Sequence, residues 1–197
     1  MKIKVSCIQT NSFISPIENI NHVSNLIKKA IKQKSDLICL PECVGIFTDN
    51  KKKLNNFCKN DNIFLNFIKE LSKKYKVHFI IGSLPFIKLN KKFLNKSLVI
   101  NNKGEVIAEY DKINLFNVKL NSKEKYLESK LYDPGKKIKV VSLPWGKLGL
   151  SICYDIRFPD LYKKLAKNGA DFLSIPAAFT KTTGKAHWHS LIRSRAI

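Results

Sequence analysis

Two periodicities take turns along this chain, and their order constrains the fold more than any other feature. An alternating strand pattern at Ile3 to Gln9 is followed by Ser15-Pro16-Ile17-Glu18. That run supplies an N-cap, a proline at the first helical position and the glutamate of a capping box. Ile20, Val23, Ile27 and Ile31 then recur at helical spacing to about Lys34. Leu37 to Leu40 is an apolar strand ending at Pro41-Glu42, and Ile63 to Lys74 is a second amphipathic helix with Leu65, Ile68 and Leu71 at core positions. Val77 to Leu84 reads as the next strand. Phe93 to Ile100 and Glu105 to Tyr110 alternate like the arms of a hairpin about Asn101-Asn102-Lys103-Gly104. Further strands are expected at Ile138 to Leu143, Lys147 to Ile152 and Asp171 to Ile175, with helices at Asp160 to Lys167 and Ala186 to Ala196. The lysine-rich stretch Thr48 to Asn60 and residues 117–137, punctuated by Pro134-Gly135, read as loops. Strands alternating with helices and then interrupted by a hairpin point to an α/β or α+β layered sandwich. Neither a repeat nor a linker divides residues 1–197, so a single domain is expected.

Composition bounds the function. The formal charge is +21, which raises a nucleic-acid or anionic-membrane partner. Arginine, however, occurs only at Arg157, Arg193 and Arg195, and the lysines are scattered rather than clustered. Nucleic-acid readers concentrate their basic residues and lean on arginine, so the surplus reads as background composition that can still steer anionic substrates. Neither a nucleic-acid nor a membrane partner is expected, because no run approaches the roughly 20 apolar residues of a span. The first residues alternate like a strand and carry no signal-peptide core, so a cytoplasmic location is expected. Cys7, Cys39, Cys43, Cys58 and Cys153 make an odd set without CxxC spacing, which suits a reducing compartment and gives no metal site. Cys7 and Cys39, inside strand patterns, are expected in the core. His187 and His189 lack an acidic or cysteine neighbour to complete a metal pair.

Three reactive residues stand directly after three apolar strands: Glu42, Lys112 and Cys153. If the strands share a sheet and a direction, their carboxyl ends gather a carboxylate, an ammonium and a thiol. Ligands of open α/β sheets bind at such ends. Cys153 stands on a strand-to-helix corner, between Lys147 to Ile152 and the helix opened by Pro159. A free thiol, with a pKa near about 8.5, needs a base at neutral pH. A carboxylate can take its proton, and an ammonium can hold the oxyanion of a tetrahedral intermediate. Such a set performs acyl transfer at a carbon–nitrogen bond without a cofactor.

The motifs Leu40-Pro41-Glu42, Tyr110-Asp111-Lys112-Ile113-Asn114 and Ser151-Ile152-Cys153-Tyr154-Asp155-Ile156-Arg157-Phe158-Pro159, in that order, resemble the Glu–Lys–Cys triad of the nitrilase-like carbon–nitrogen hydrolases. Tyr126-Leu127-Glu128-Ser129 matches the second active-site glutamate that the family often carries, and Ala177-Ala178-Phe179-Thr180 with Thr183-Gly184-Lys185-Ala186-His187-Trp188 matches a further block. The likeness is greatest to the amidase branch that includes deaminated-glutathione amidase and omega-amidase. It implies a four-layer αββα sandwich that commonly dimerises, and hydrolysis of a small linear amide, carboxylate-bearing, through a cysteine thioester. Glu42, Lys112 and Cys153 would be catalytic, with Glu128 and the Tyr154 backbone N–H in support. Arg157 and Phe179 are candidates for binding substrate. The Arg157 guanidinium suits either a substrate carboxylate or a salt bridge with Asp155 or Asp160. Asn114 stands where the family often has histidine, and His189 where it often has glutamate. Family members continue beyond Ile197 through more strands, so the family fold is expected to be incomplete at the C-terminus. For residues 1–197 alone, low stability and solubility are therefore expected, and an inactive fragment is the alternative to an active amidase.

Overall fold

In a computed structural model, residues 2–59, 62–119 and 125–197 are described. The expected loops at 48–60 and 117–137 fall partly outside them, at 60 and at 120–124. Ten strands and five α-helices are described. The first sheet contains β1 (Val5–Cys7), β2 (Leu37–Cys39), β3 (His78–Ile87), β4 (Phe93–Ile100) and β5 (Val106–Asp111), in that spatial order. β1, β2 and β3 are parallel, β4 is antiparallel to β3, and β5 is antiparallel to β4. β5 therefore runs the same way as β2, and the residues that follow both emerge at the same end of this sheet. The second sheet has the order β10 (Phe172–Ser174), β9 (Gly146–Leu150), β8 (Val140–Leu143), with β9 and β10 parallel.

Helices α1 (Pro16–Lys32) and α3 (Ile63–Tyr75) cover one face of the first sheet. Val23, Ile27, Phe64 and Ile68 meet Ile38, Phe79 and Ile81 there, all fully buried. Each side chain of this kind contributes about 1.5–3 kcal/mol by leaving water. The other face packs on the second sheet, where Leu37, Ile80, Val99 and Tyr110 meet Leu148, Leu150 and Ile152. Outside that sheet lie α4 (Pro159–Lys167) and α5 (Lys181–Ala196), with Leu161, Leu165, Trp188 and Leu191 in a third cluster. The layers run α, β, β, α, the sandwich anticipated from the sequence. Ser15 caps α1, its side chain accepting from the Glu18 N–H.

Three expectations are corrected. The lysine-rich loop is mostly a helix, α2 (Lys51–Lys59), with Leu54 and Phe57 buried and the lysines solvated. The charge run hid an i, i+3 apolar pair. Residues 117–137 contain β6 (Asn117–Lys119) paired antiparallel with β7 (Lys125–Leu127), followed by a 3₁₀ turn at Glu128–Lys130. Cys7 is exposed rather than core, because β1 is an edge strand of its sheet; its register partner Cys39 is half-buried.

Candidate active site

Each candidate side chain is set by the backbone that carries it. Beyond β2 the chain turns sharply at Pro41-Glu42-Cys43. Cys43 adopts a left-handed φ of 55°, and its N–H donates to Ser83 Oγ at 2.9 Å. Gly82 makes this turn fit, because a Cβ there would overlap the Leu40 and Pro41 carbonyl oxygens. Beyond β5, Gly135 plays the same part against Asp111, and its N–H donates to the Lys112 carbonyl at 2.7 Å. Cys153 follows β9 at the start of a 3₁₀ turn (Cys153–Arg157) with a φ of 50°. A non-glycine residue held there stores about 1–3 kcal/mol of strain, of the sort that clusters at functional sites. Its own N–H donates to the Pro176 carbonyl at 2.9 Å, which ties the corner to the segment after β10.

The strands do not all belong to one sheet. Glu42 and Lys112 leave the same end of the first sheet, from strands separated by β3 and β4, whereas Cys153 leaves the second sheet and meets them across the sandwich. Sheet packing, rather than a shared edge, joins the third member. Lys112 Nζ lies 2.9 Å from Glu42 Oε1 and 2.9 Å from Glu128 Oε2, with all three side chains largely buried. Glu42 Oε2 accepts the Ala178 N–H at 2.8 Å. Glu128 Oε2 also accepts the Phe116 N–H at 2.6 Å, which fixes the glutamate from the far side.

Electrostatics at this junction follow from burial and charge. Burial is the strongest single influence on Glu42 and disfavours its charge, but the Lys112 charge and hydrogen bonds from Cys153, Lys112 and Ala178 together outweigh it and hold the carboxyl below its usual range. Burial pushes the Cys153 thiol well up, and the neighbouring Glu42 charge adds to this. Burial also opposes the Lys112 charge, yet Glu42, Cys153 and Glu128 overcome it and raise its pKa. At rest the proton is on sulfur, with a carboxylate and an ammonium beside it. Burial likewise raises Cys43, which keeps that second thiol protonated.

Asp155 braces the cysteine corner. Burial pushes its pKa up against four hydrogen bonds. Oδ2 accepts from Tyr110 OH at 2.7 Å and the Ile152 N–H at 2.9 Å, while Oδ1 accepts from the Asn114 N–H at 2.9 Å and Asn114 Nδ2 at 2.8 Å. Asn114 thus links the Lys112 segment to the cysteine corner. Asp155 is therefore not the acid that pairs with Arg157, and neither is Asp160. Arg157 lies over the rings of Tyr154 at 5.8 Å and Phe179 at 5.7 Å, and its Nη2 is 3.2 Å from His187 Nδ1. Phe179 is edge-on to Trp188 at 4.8 Å. Among the described residues, no three His, Cys, Asp or Glu side chains gather as a metal site, and no helix is long and apolar enough to cross a membrane.

Glu42, Lys112, Glu128, Cys153, Tyr154, Arg157 and Phe179 all line one cavity of about 1230 Å³. The sequence reading assigned no role to two of its parts. Ala178 acts through a backbone N–H, which no side-chain pattern reveals. Asn95, on β4, was signalled only by being polar at a buried strand position between Phe93 and Ser97.

Residues 4–197 match the carbon-nitrogen hydrolase family. The chain is 35% identical to deaminated glutathione amidase of Yersinia enterocolitica, over 98% of this chain and 68% of that protein. It is 33% identical to omega-amidase NIT3 of Saccharomyces cerevisiae, over 100% of this chain and 70% of the other. It superposes on the crystal structure of the C. elegans NitFhit protein with a TM-score of 0.91 and 34% identity, spanning 98% of this chain and about half, 48%, of that one.

Proposed function

This chain belongs to the carbon–nitrogen hydrolase family, and on that premise we propose that it is an amidase in which Cys153 is the nucleophile, Glu42 the base and Lys112 the oxyanion holder. One observation carries the reading: a buried carboxylate, ammonium and thiol converge from two different sheets, with Lys112 Nζ 2.9 Å from Glu42. The thiol attacks the amide carbon while its proton passes to Glu42. The charge that develops on oxygen meets the Lys112 ammonium and the Tyr154 backbone N–H, already in place before the reaction. Glu42 then returns the proton to the departing nitrogen, the carbon–nitrogen bond breaks, and ammonia leaves a thioester on Cys153. Water attacks that thioester with its proton going to Glu42, the carbon–sulfur bond breaks, and sulfur takes the proton back. Glu128 orients Lys112, because both of its oxygens lie within hydrogen-bond reach of Nζ.

The names of the similar amidases and the Arg157 guanidinium at the cavity wall support a small linear substrate bearing a carboxylate. A cytoplasmic setting, where the thiol stays reduced, and a homodimer complete the proposal. Ammonia release from a panel of short amides tests the activity, and intact-protein mass spectrometry with a slow substrate tests the nucleophile. An acyl adduct on Cys153, absent from Cys153→Ala, is expected; an adduct on Cys43 overturns the assignment.

A further inference from the structure

We propose that Asn95 is a positioning residue of this site: its single amide nitrogen ties Glu42 to Glu128 and fixes the Glu42 oxygen that does not take the proton. The inference rests on the triad reading above and goes a step past it. Asn95 is buried on β4, and its Nδ2 donates to Glu42 Oε1 and to Glu128 Oε1, each at 3.0 Å. Lys112 Nζ reaches the same two oxygens, at 2.9 Å and 3.2 Å. The four atoms close a ring in which two donors alternate with two acceptors. The Asn95 carbonyl also accepts the Lys112 N–H at 2.9 Å, so one residue holds both the backbone of the lysine and the partners of its head group.

Charge explains why an amide stands here. Two carboxylates face one ammonium, which leaves one negative charge uncompensated in a buried place. A second cation would cancel it but would also strip Glu42 of its basicity. A neutral donor with two protons shields the two facing oxygens from each other and keeps the base a base. Turning the amide over would point three acceptors at one another, so the nitrogen must face the carboxylates. With Oε1 holding Lys112 and Asn95, and Oε2 receiving the Ala178 N–H, the open lone pair of Glu42 is on Oε2. That oxygen is the one assigned to the thiol proton.

The test is the pH dependence of kcat/KM for Asn95→Leu and Asn95→Ser, together with the pH dependence of Cys153 alkylation by iodoacetamide, which needs no substrate. Removing a hydrogen bond to the charged form of Glu42 raises its pKa, so the acid limb of both profiles should move to higher pH, further for Leu than for Ser. kcat should fall about 10- to 100-fold, the range for losing a hydrogen bond to a charged group, with KM changed less than about threefold. The serine variant, small and still a donor, serves if the leucine variant does not fold. Folded variants with a lower kcat and an unmoved acid limb overturn the proposal, since packing alone would do that. Glu42→Gln is the reference: if it turns over at the wild-type rate, the triad reading falls and this inference with it. If Glu42→Gln is inactive while the Asn95 profiles stay put, only the assignment of Asn95 falls.

Discussion

A lysine side chain wedged between two glutamates decides what the reactive residues are at rest. Glu42 keeps its charge because Lys112 and neighbouring donors outweigh its burial, and Cys153 keeps its proton because burial and that same charge oppose a thiolate. In the proposed mechanism the thiolate therefore forms during attack, and activity needs Glu42 unprotonated. Its pKa lies below the ordinary 4.5, so the acid limb of kcat/KM should lie below pH 4.5, with no loss on the alkaline side until Lys112 titrates above 10.5. An acid limb near neutrality would mean that Glu42 is protonated at rest. The same shift bears on stability. A carboxyl depressed by folding contributes stability above its unfolded pKa and loses it as the pH falls through the folded one. Thermal melts should thus be flat with respect to this group above about pH 5 and weaken below pH 4.5. Glu42→Gln should abolish the part of that acid dependence which Glu42 causes. Glu128→Gln should lower kcat by about 100-fold, the scale on which one donor or orienting group at an oxyanion site acts. A near-normal kcat would leave Glu128 with no part in the reaction.

The elements place these residues through close backbone approach. Gly82 on β3 lets the chain after β2 pass so near that any side chain would strike the Leu40 and Pro41 carbonyls, two and one residues before Glu42. Gly82→Ala should therefore push the Glu42 turn away from Lys112, cost about 1–3 kcal/mol through overpacking, and lower kcat more than it raises KM. Differential scanning calorimetry and steady-state kinetics read the two effects separately, and a variant with wild-type kcat would show that the turn is not held there. The Asp155 brace behaves similarly. Asp155→Asn presents an N–H to donors that already point at that position, so loosening of the cysteine corner and a loss of about 1.5–3 kcal/mol are expected. These elements also mark what could be read from the sequence. The helical spacing of Ile20, Val23, Ile27 and Ile31 and the apolar runs before Glu42, Lys112 and Cys153 state local preferences strongly, so helices, strands and the three residues that meet at the cavity were legible. The pairing of sheets was not, because nothing local tells Leu148 that its neighbour is Tyr110 rather than another strand of one sheet. α2 was hidden because three consecutive lysines overrode Leu54 and Phe57 in a reading by polarity. Asn95 and the Ala178 N–H were hidden because their roles exist only once four distant segments meet.

At the scale of the molecule, the surplus of positive charge is the feature to explain. The 36 lysines and arginines against 15 acids give a field of one sign around the whole protein. Beyond Glu42, Lys112 and Glu128, the cavity lining carries Lys125, Lys130, Arg157 and Lys181 against Asp49. Charges spread over a surface act beyond contact only within a Debye length, about 8 Å at physiological salt and about 30 Å at 0.01 M. Their effect is therefore on the arrival of substrate rather than on the bond-making step. If the amide carries a carboxylate, kcat/KM should fall several-fold between about 0.01 M and 0.5 M salt while kcat stays constant, and the matching neutral amide should show almost no salt dependence. Arg157→Gln separates the local contact from the distant field. It removes one guanidinium over Tyr154 and Phe179, so KM for the carboxylate-bearing amide should rise about tenfold or more, whereas the slope against salt, set by the scattered lysines, should hardly change. Equal slopes for charged and neutral amides would exclude steering. An unchanged KM in Arg157→Gln would leave the stacked guanidinium a structural partner of its two rings and of His187, and the carboxylate would have to be sought elsewhere in the cavity.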